Sequence, residues 1–188
     1  MIRGRQTIGR SRHGLPTMII VVALVLIGAC GSGDSDPATA AAIDGAELFS
    51  DPQGSYTIEV DPDWQANHGS LAAEIEVWFV AEPSDEFAPN LNILTQLAPQ
   101  MNLEEYLELS IDNGPIFFSD FELIEGGTVD GASGQPLATV EYTGDGLRFL
   151  AVFAVSDGEA VVATLSAPIE RFGSLRDEVL PHLLTLER

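Results

Sequence analysis

Residues 147–155 read LRFLAVFAV, and the fold follows from how these side chains divide. With the two-residue period of a strand, Phe149, Ala151, Phe153 and Val155 share one face, and Leu150, Val152 and Ala154 the other. Both faces are apolar, so this strand must be covered above and below. Residues 160–165, AVVATL, have the same character. Gly144-Asp145-Gly146 before the stretch and Asp157-Gly158 after it are tight-turn signals. Strands are therefore expected over 121–129, 137–143, 147–155 and 160–166, the last three as an antiparallel meander.

Covers for the two faces are available on either side of the meander. Upstream, Asn102 stands three residues before Glu105, the signature of a capping box. Leu103, Tyr106, Leu107 and Ile111 then fall on one side of a helix that stops at Gly114-Pro115, with Glu104, Glu105, Glu108 and Asp112 facing out. Downstream, Ile169, Phe172, Leu175, Val179 and Leu183 recur at spacings of three and four, with Pro168 near the first turn. Pro181 must kink or end that helix near its last turn. Earlier still, Tyr56, Ile58 and Val60 alternate with polar residues, and 75–80 and 91–97 are two further strand signals. The expectation is an α+β domain over 47–188, a three-layer αβα sandwich with an antiparallel sheet between helices on both faces.

The order β-β-β, helix, β-meander, helix resembles the Mog/PsbP-like fold, in particular the small actinobacterial lipoproteins of the LpqN type. The strings that carry the likeness are YTIEVDPDW (56–64), FAPNLNI (87–93), LEEYLELS (103–110) and GLRFLAVFAV (146–155). They are packing residues and include no catalytic signature. The resemblance implies a binding or assembly module without turnover: PsbP supports an oxygen-evolving complex, and Mog binds a small GTPase. It transfers no functional residue to this chain.

The N-terminus carries a separate message. Arg3, Arg5, Arg10 and Arg12 precede MIIVVALVLIGA (18–29), twelve apolar residues that as a helix would span about 18 Å at 1.5 Å per residue. That is short for a bilayer core of about 30 Å, and with the basic start it reads as a secretory signal over 1–29. Ile27-Gly28-Ala29-Cys30 resembles the bacterial lipobox, whose Cys is lipidated after cleavage in front of it. Cys30, the chain's single cysteine, is thus the expected anchor to membrane lipid on the extracytoplasmic face. Residues 30–46, small and polar, are the expected tether, with a reach of roughly 22 Å.

Charge excludes whole function classes. The chain has 29 Asp and Glu against 8 Arg and no Lys, and removal of residues 1–29 leaves a net −25. Binding to nucleic acid or to an anionic lipid surface needs Lys and Arg at the phosphates, so neither is expected of the folded part. One Cys excludes an internal disulfide and CxxC metal or redox sites. Neither Asp34-Ser35-Asp36 nor Asp61-Pro62-Asp63 matches the EF-hand ligand pattern, and no metal or cofactor is expected.

Candidate sites remain. A hydrolase would need a base beside an acid, and Asp61 and Asp63 with His68 form the best cluster for it, although a strand-ending turn explains both acids. His182, on the last helix, is expected to be solvated or to cap. For binding, aromatic residues in polar surroundings are the better signal. Phe87 and Pro89, Ile116, Phe117 and Phe118, and Trp64 are the expected contact surface, for an envelope protein or, as an alternative, a small apolar or lipid ligand. Trp78 is expected in the core. Arg148 is expected to pair with Glu141 across the hairpin.

Overall fold

The computed structural model describes residues 43–67, 75–83 and 87–188. The expected signal segment, Cys30 and His68 lie outside them. Among the described residues nine strands and three helices follow in the order β1 (Glu47–Ser50), β2 (Thr57–Val60), β3 (Gln65–Ala66), β4 (Ile75–Phe79), β5 (Asn90–Leu97), α1 (Leu103–Asp112), α2 (Gly114–Phe117), β6 (Glu122–Asp130), β7 (Pro136–Gly144), β8 (Leu147–Ser156), β9 (Glu159–Pro168) and α3 (Ile169–Leu183).

Seven strands form one antiparallel sheet in the order β3-β4-β5-β9-β8-β7-β6. The long, doubly apolar strands β8 and β9 are its centre, paired over Leu147↔Pro168 to Ser156↔Glu159. Their turns close tightly because Asp145 (φ 52°) with Gly146 (φ 77°), and Asp157 (φ 50°) with Gly158 (φ 80°), adopt the left-handed conformation that two-residue hairpins require. The 56–60 strand does not enter this sheet: β2 pairs with β1 as a separate hairpin, and Thr57 also bridges to Glu187 near the C-terminus. Neither β1 nor β3 is among the expected strands, being four and two residues long and too short to show a period.

The alternation in β8 sorts its side chains into two buried clusters. Ala151 and Phe153 join Tyr106, Leu107 and Ile111 of α1. Leu150, Val152 and Ala154 join Phe172, Leu175, Val179 and Leu183 of α3, together with Ile58 and Val60 of the hairpin. Both helices are set by local chemistry. The Asn102 side chain accepts from the Glu105 N–H at 2.9 Å, and Glu105 accepts from the Asn102 N–H at 3.0 Å, completing the capping box. α3 follows Pro168 and ends two residues after Pro181.

Glu141 ties α3 to the sheet. Its carboxylate is buried on β7 and accepts from Arg148 Nε of β8 at 2.6 Å, the expected cross-strand pair. Arg176 Nε of α3 reaches the other oxygen at 2.9 Å, a partner the sequence did not suggest. The Arg148 guanidinium also lies 5.0 Å from the Phe172 ring centroid. A carboxylate held by two guanidinium groups is a strong arrangement and a costly one to break from one side.

Candidate interaction surface

At the end of α1 the chain turns through Gly114-Pro115 into α2 and then back into β6. This corner stands on an aromatic stack. Phe118 packs against Tyr142 and Phe149 at centroid distances of 5.5 and 5.2 Å, and Phe121 lies 5.5 Å from Tyr142. Tyr142 and Phe149 stack at 4.8 Å with their planes 14° apart. Two glycines permit the approach: a Cβ on Gly114 would stand 2.6 Å from the Phe121 ring, and one on Gly144 2.7 Å from Phe118. Asp120 accepts from the Asp145 N–H at 2.7 Å and closes the corner onto the β7–β8 turn.

The stack buries one side of the corner and leaves the other to solvent. Ile116 is 73% exposed and Phe117 42%. Covering such side chains on association would be favourable by about 1.5–3 kcal/mol each for complete burial. The support beneath them is rigid, so little further ordering opposes it.

The other expected contact residues are placed differently. Phe118 serves as the anchor just described. Pro89 is buried, and its carbonyl accepts from the Val80 N–H at 3.1 Å, continuing the β4–β5 pairing. Phe87 is half-buried and leads into β5. It lies at the same sheet end as the β7–β8 turn, because Asn90 pairs with Ser166 and Ser166 with Phe149. In sheet order β5 and β7 are separated by β9 and β8, so Phe87 and Phe117 belong to different parts of that end.

Trp64 is buried rather than on a rim: its ring packs 4.8 Å from that of His182. His182 is accordingly neither solvated nor a cap. It is buried, with Nδ1 3.1 Å from the Glu59 carbonyl, and since a carbonyl only accepts, the ring proton stands on Nδ1. His182 stands three residues after Val179 and seven after Leu175, on the apolar side of α3, where Trp64 and the Glu59 carbonyl of β2 meet it.

Asp61 and Asp63 form the expected turn, Asp61 Oδ1 accepting from the Asp63 N–H at 2.8 Å. Asp61 shares a cavity of about 210 Å³ with Asp44 and His182, a neighbourhood the sequence reading did not contain. Among the described residues no group of three or more His, Cys, Asp or Glu is placed to hold a metal ion, and no helix is long and apolar enough to cross a membrane.

An antiparallel seven-stranded sheet with few helices is the class of fold that PsbP has. The solution structure of the cyanobacterial PsbP, CyanoP, from Synechocystis sp. PCC 6803 is similar with a TM-score of 0.55 at 19% identity, over 86% of this chain and 98% of that one. The protein PA94 from Pseudomonas aeruginosa, of unknown function, follows at 0.53 and 12%, over 74% and 94%. The Saccharomyces cerevisiae Ran-binding protein Mog1p is similar at 0.46 and 14%, over 74% and 88%. No protein-family model matches the chain, and no curated protein sequence matches it. The likeness establishes a PsbP-like fold and carries no site with it.

Proposed function

We propose that this chain is a lipid-anchored envelope protein whose folded part, a three-layer αβα sandwich, is a binding or assembly module without turnover. In this reading residues 1–29 direct export, Cys30 carries the lipid, residues 30–46 are the tether and residues 47–188 are the module. What supports the anchor is the sequence: a basic start, a short apolar run and a lipobox-like IGAC ending at the chain's single Cys. What supports the three layers is the division of β8 side chains between an α1 cluster and an α3 cluster.

The observation that carries the binding role is the pair Ile116 and Phe117, apolar and exposed on a corner held by Phe118 and Phe121. The partner in this reading is an envelope protein. A photo-crosslinking side chain at position 117, in cells carrying the full-length protein, is expected to join a discrete envelope partner. The same group at Glu104, on the acidic face of α1, is expected to join none. Equal labelling from both positions would refute the role of the corner. For the anchor, mass spectrometry of the mature protein should find acyl chains on Cys30, absent after Cys30→Ser.

Carriage of a small apolar or lipid ligand is the second reading. It is favoured by a largely apolar groove of about 340 Å³ that includes Ile43, Ala132, Leu180, Pro181 and Leu184. Lipid co-purifying with the protein and lost on Leu180→Asp would favour it over the corner.

A further inference from the structure

β6 is the last strand of the seven-stranded sheet, and among the described residues β7 is its only partner. It is nine residues long, whereas β3, at the opposite end of the sheet, has two. A long strand paired on one side presents a row of unused N–H and C=O groups to another chain. The register says which groups these are. The Gly131 N–H donates to the Gln135 carbonyl at 2.8 Å, and Pro136, which has no N–H, stands opposite Asp130. Antiparallel pairs alternate between hydrogen-bonded and non-hydrogen-bonded. Gly131 with Gln135 is of the first kind and Asp130 with Pro136 of the second, and the regular register back to Glu125 continues the alternation. Gly126, Thr128 and Asp130 thus turn both backbone groups away from β7, and among the described residues nothing bonds to them there.

Backbone and charge together indicate what pairs with this edge. Glycine inside a strand costs stability and often marks a place where another backbone comes close. β6 has two in succession, and among the described residues nothing requires the second: its φ is not left-handed, and a Cβ on Gly127 would meet no atom within 4 Å. Glu122, Glu125 and Asp130 are exposed, and the strand has no basic residue. Glu125 stands directly opposite Glu141, an unfavourable neighbour for a carboxylate, and Arg148 and Arg176 are both turned to Glu141. Among the described residues Glu125 has no ion pair. A strand added outside β6 sets a side chain about 5 Å from Glu125, where a cation supplies the missing counter-charge. A second copy of β6 would bring the same acids and no base.

We propose that β6 is extended by an added strand, a basic segment of a partner protein that hydrogen-bonds to Gly126, Thr128 and Asp130 and carries Lys or Arg opposite Glu125. This rests on the binding reading above and gives the partner its chemistry. Glu122 pairs with Thr143, next to the Gly144 on which Phe118 sits, so the corner bearing Ile116 and Phe117 stands at the start of the same edge.

Isothermal titration of the full-length protein in detergent, at roughly 0.15 M salt so that diffuse attraction is screened, tests this with two short blocked peptides, one alternating lysine and valine and one alternating glutamate and valine. The lysine peptide is expected to bind saturably and to slow amide hydrogen exchange over residues 122–130, and the glutamate peptide to do neither. Thr128→Pro removes an outward N–H and leaves the β7 ladder intact, and it is expected to weaken binding about tenfold or more. Glu125→Lys is expected to weaken the lysine peptide and strengthen the glutamate peptide, whereas Glu104→Gln with Glu108→Gln on α1 leaves both unchanged. Thermal melts confirm that each variant is folded, with Gly126→Pro as the substitute if Thr128→Pro is not. No saturable binding of the lysine peptide, equal binding by both peptides, protection outside β6, full affinity in folded Thr128→Pro, or an equal loss in the α1 variant would each overturn the proposal. So would a dimer of the protein that Thr128→Pro dissolves, which would assign the edge to a second copy. Crosslinking from position 117 is read separately: its failure with the peptide bound on β6 refutes the corner and leaves the edge, and the reverse result refutes the edge alone.

Discussion

Raising the pH should unfold this protein through its tyrosines. The chain has three, Tyr56, Tyr106 and Tyr142, and they are 4%, 0% and 1% exposed. Burial raises the pKa of each above its ordinary value near 10, that of Tyr106 to about 12. Above pH 10 the unfolded chain releases these protons and the folded chain keeps them. The unfolded state then binds fewer protons, so stability falls as pH rises. The contribution is fully present below pH 10 and is lost through the folded pKa values. Each tyrosine contributes a slope of about 1.4 kcal/mol per pH unit, and three together about 4. A domain holding about 5 kcal/mol, the low end of the usual range, should therefore unfold with a midpoint a little above pH 11, and a more stable one correspondingly higher. Tyrosinate absorbance and far-ultraviolet circular dichroism recorded on one titration provide the check. The two should change together, because the phenols ionise only as the fold opens, and Tyr106→Phe should reduce the slope by about a third. Tyrosinate absorbance rising with an ordinary pKa near 10 while the dichroism stays native would refute the burial argument for those rings.

Glu141→Gln leaves Arg148 and Arg176 facing a neutral amide and should cost about 2–3 kcal/mol, less than a fully buried pair because both guanidinium groups are about a third exposed. Urea denaturation measures it, and the combined replacement of Glu141, Arg148 and Arg176 by Leu should recover most of the loss. Gly114→Ala drives a methyl into the Phe121 ring and should cost about 1–3 kcal/mol in the same assay. Asn102→Ala removes the capping box and should cost about 1 kcal/mol, with hydrogen exchange rising first in the first turn of α1. Ile116→Asp with Phe117→Asp should leave the denaturation midpoint within about 0.5 kcal/mol of wild type, since both side chains are exposed, while removing the crosslinked partner.

What could be read from residues alone depended on the range of the interaction. The capping box at Asn102 and Glu105, the Gly-Asp-Gly and Asp-Gly turns and the stop at Gly114-Pro115 are interactions within a few residues, and all are legible as written. The ion pair of Arg148 with Glu141 was also within reach, because a tight hairpin sets Arg148 opposite Thr143 and so diagonal to Glu141 on the same face of the neighbouring strand. The exposure of Ile116 and Phe117 was half legible. Their apolar character next to a helix end marked them, but only the seating of Phe118 on Tyr142 and Phe149 shows which aromatic of the trio faces inward.

By itself, then, the amino-acid order determined the central strands, their two apolar faces, the helices available to cover them and the acidic exterior, since periodicity and turn chemistry act along the chain. Only the tertiary structure decided that Trp64 and His182 bury each other and that Arg176 reaches Glu141 from α3. Each of these pairings joins residues tens of positions or more apart, and no local period encodes them. They arise when the separate β1–β2 hairpin and α3 close over the same side of the sheet, and the packing of whole elements fixes which polar group meets which.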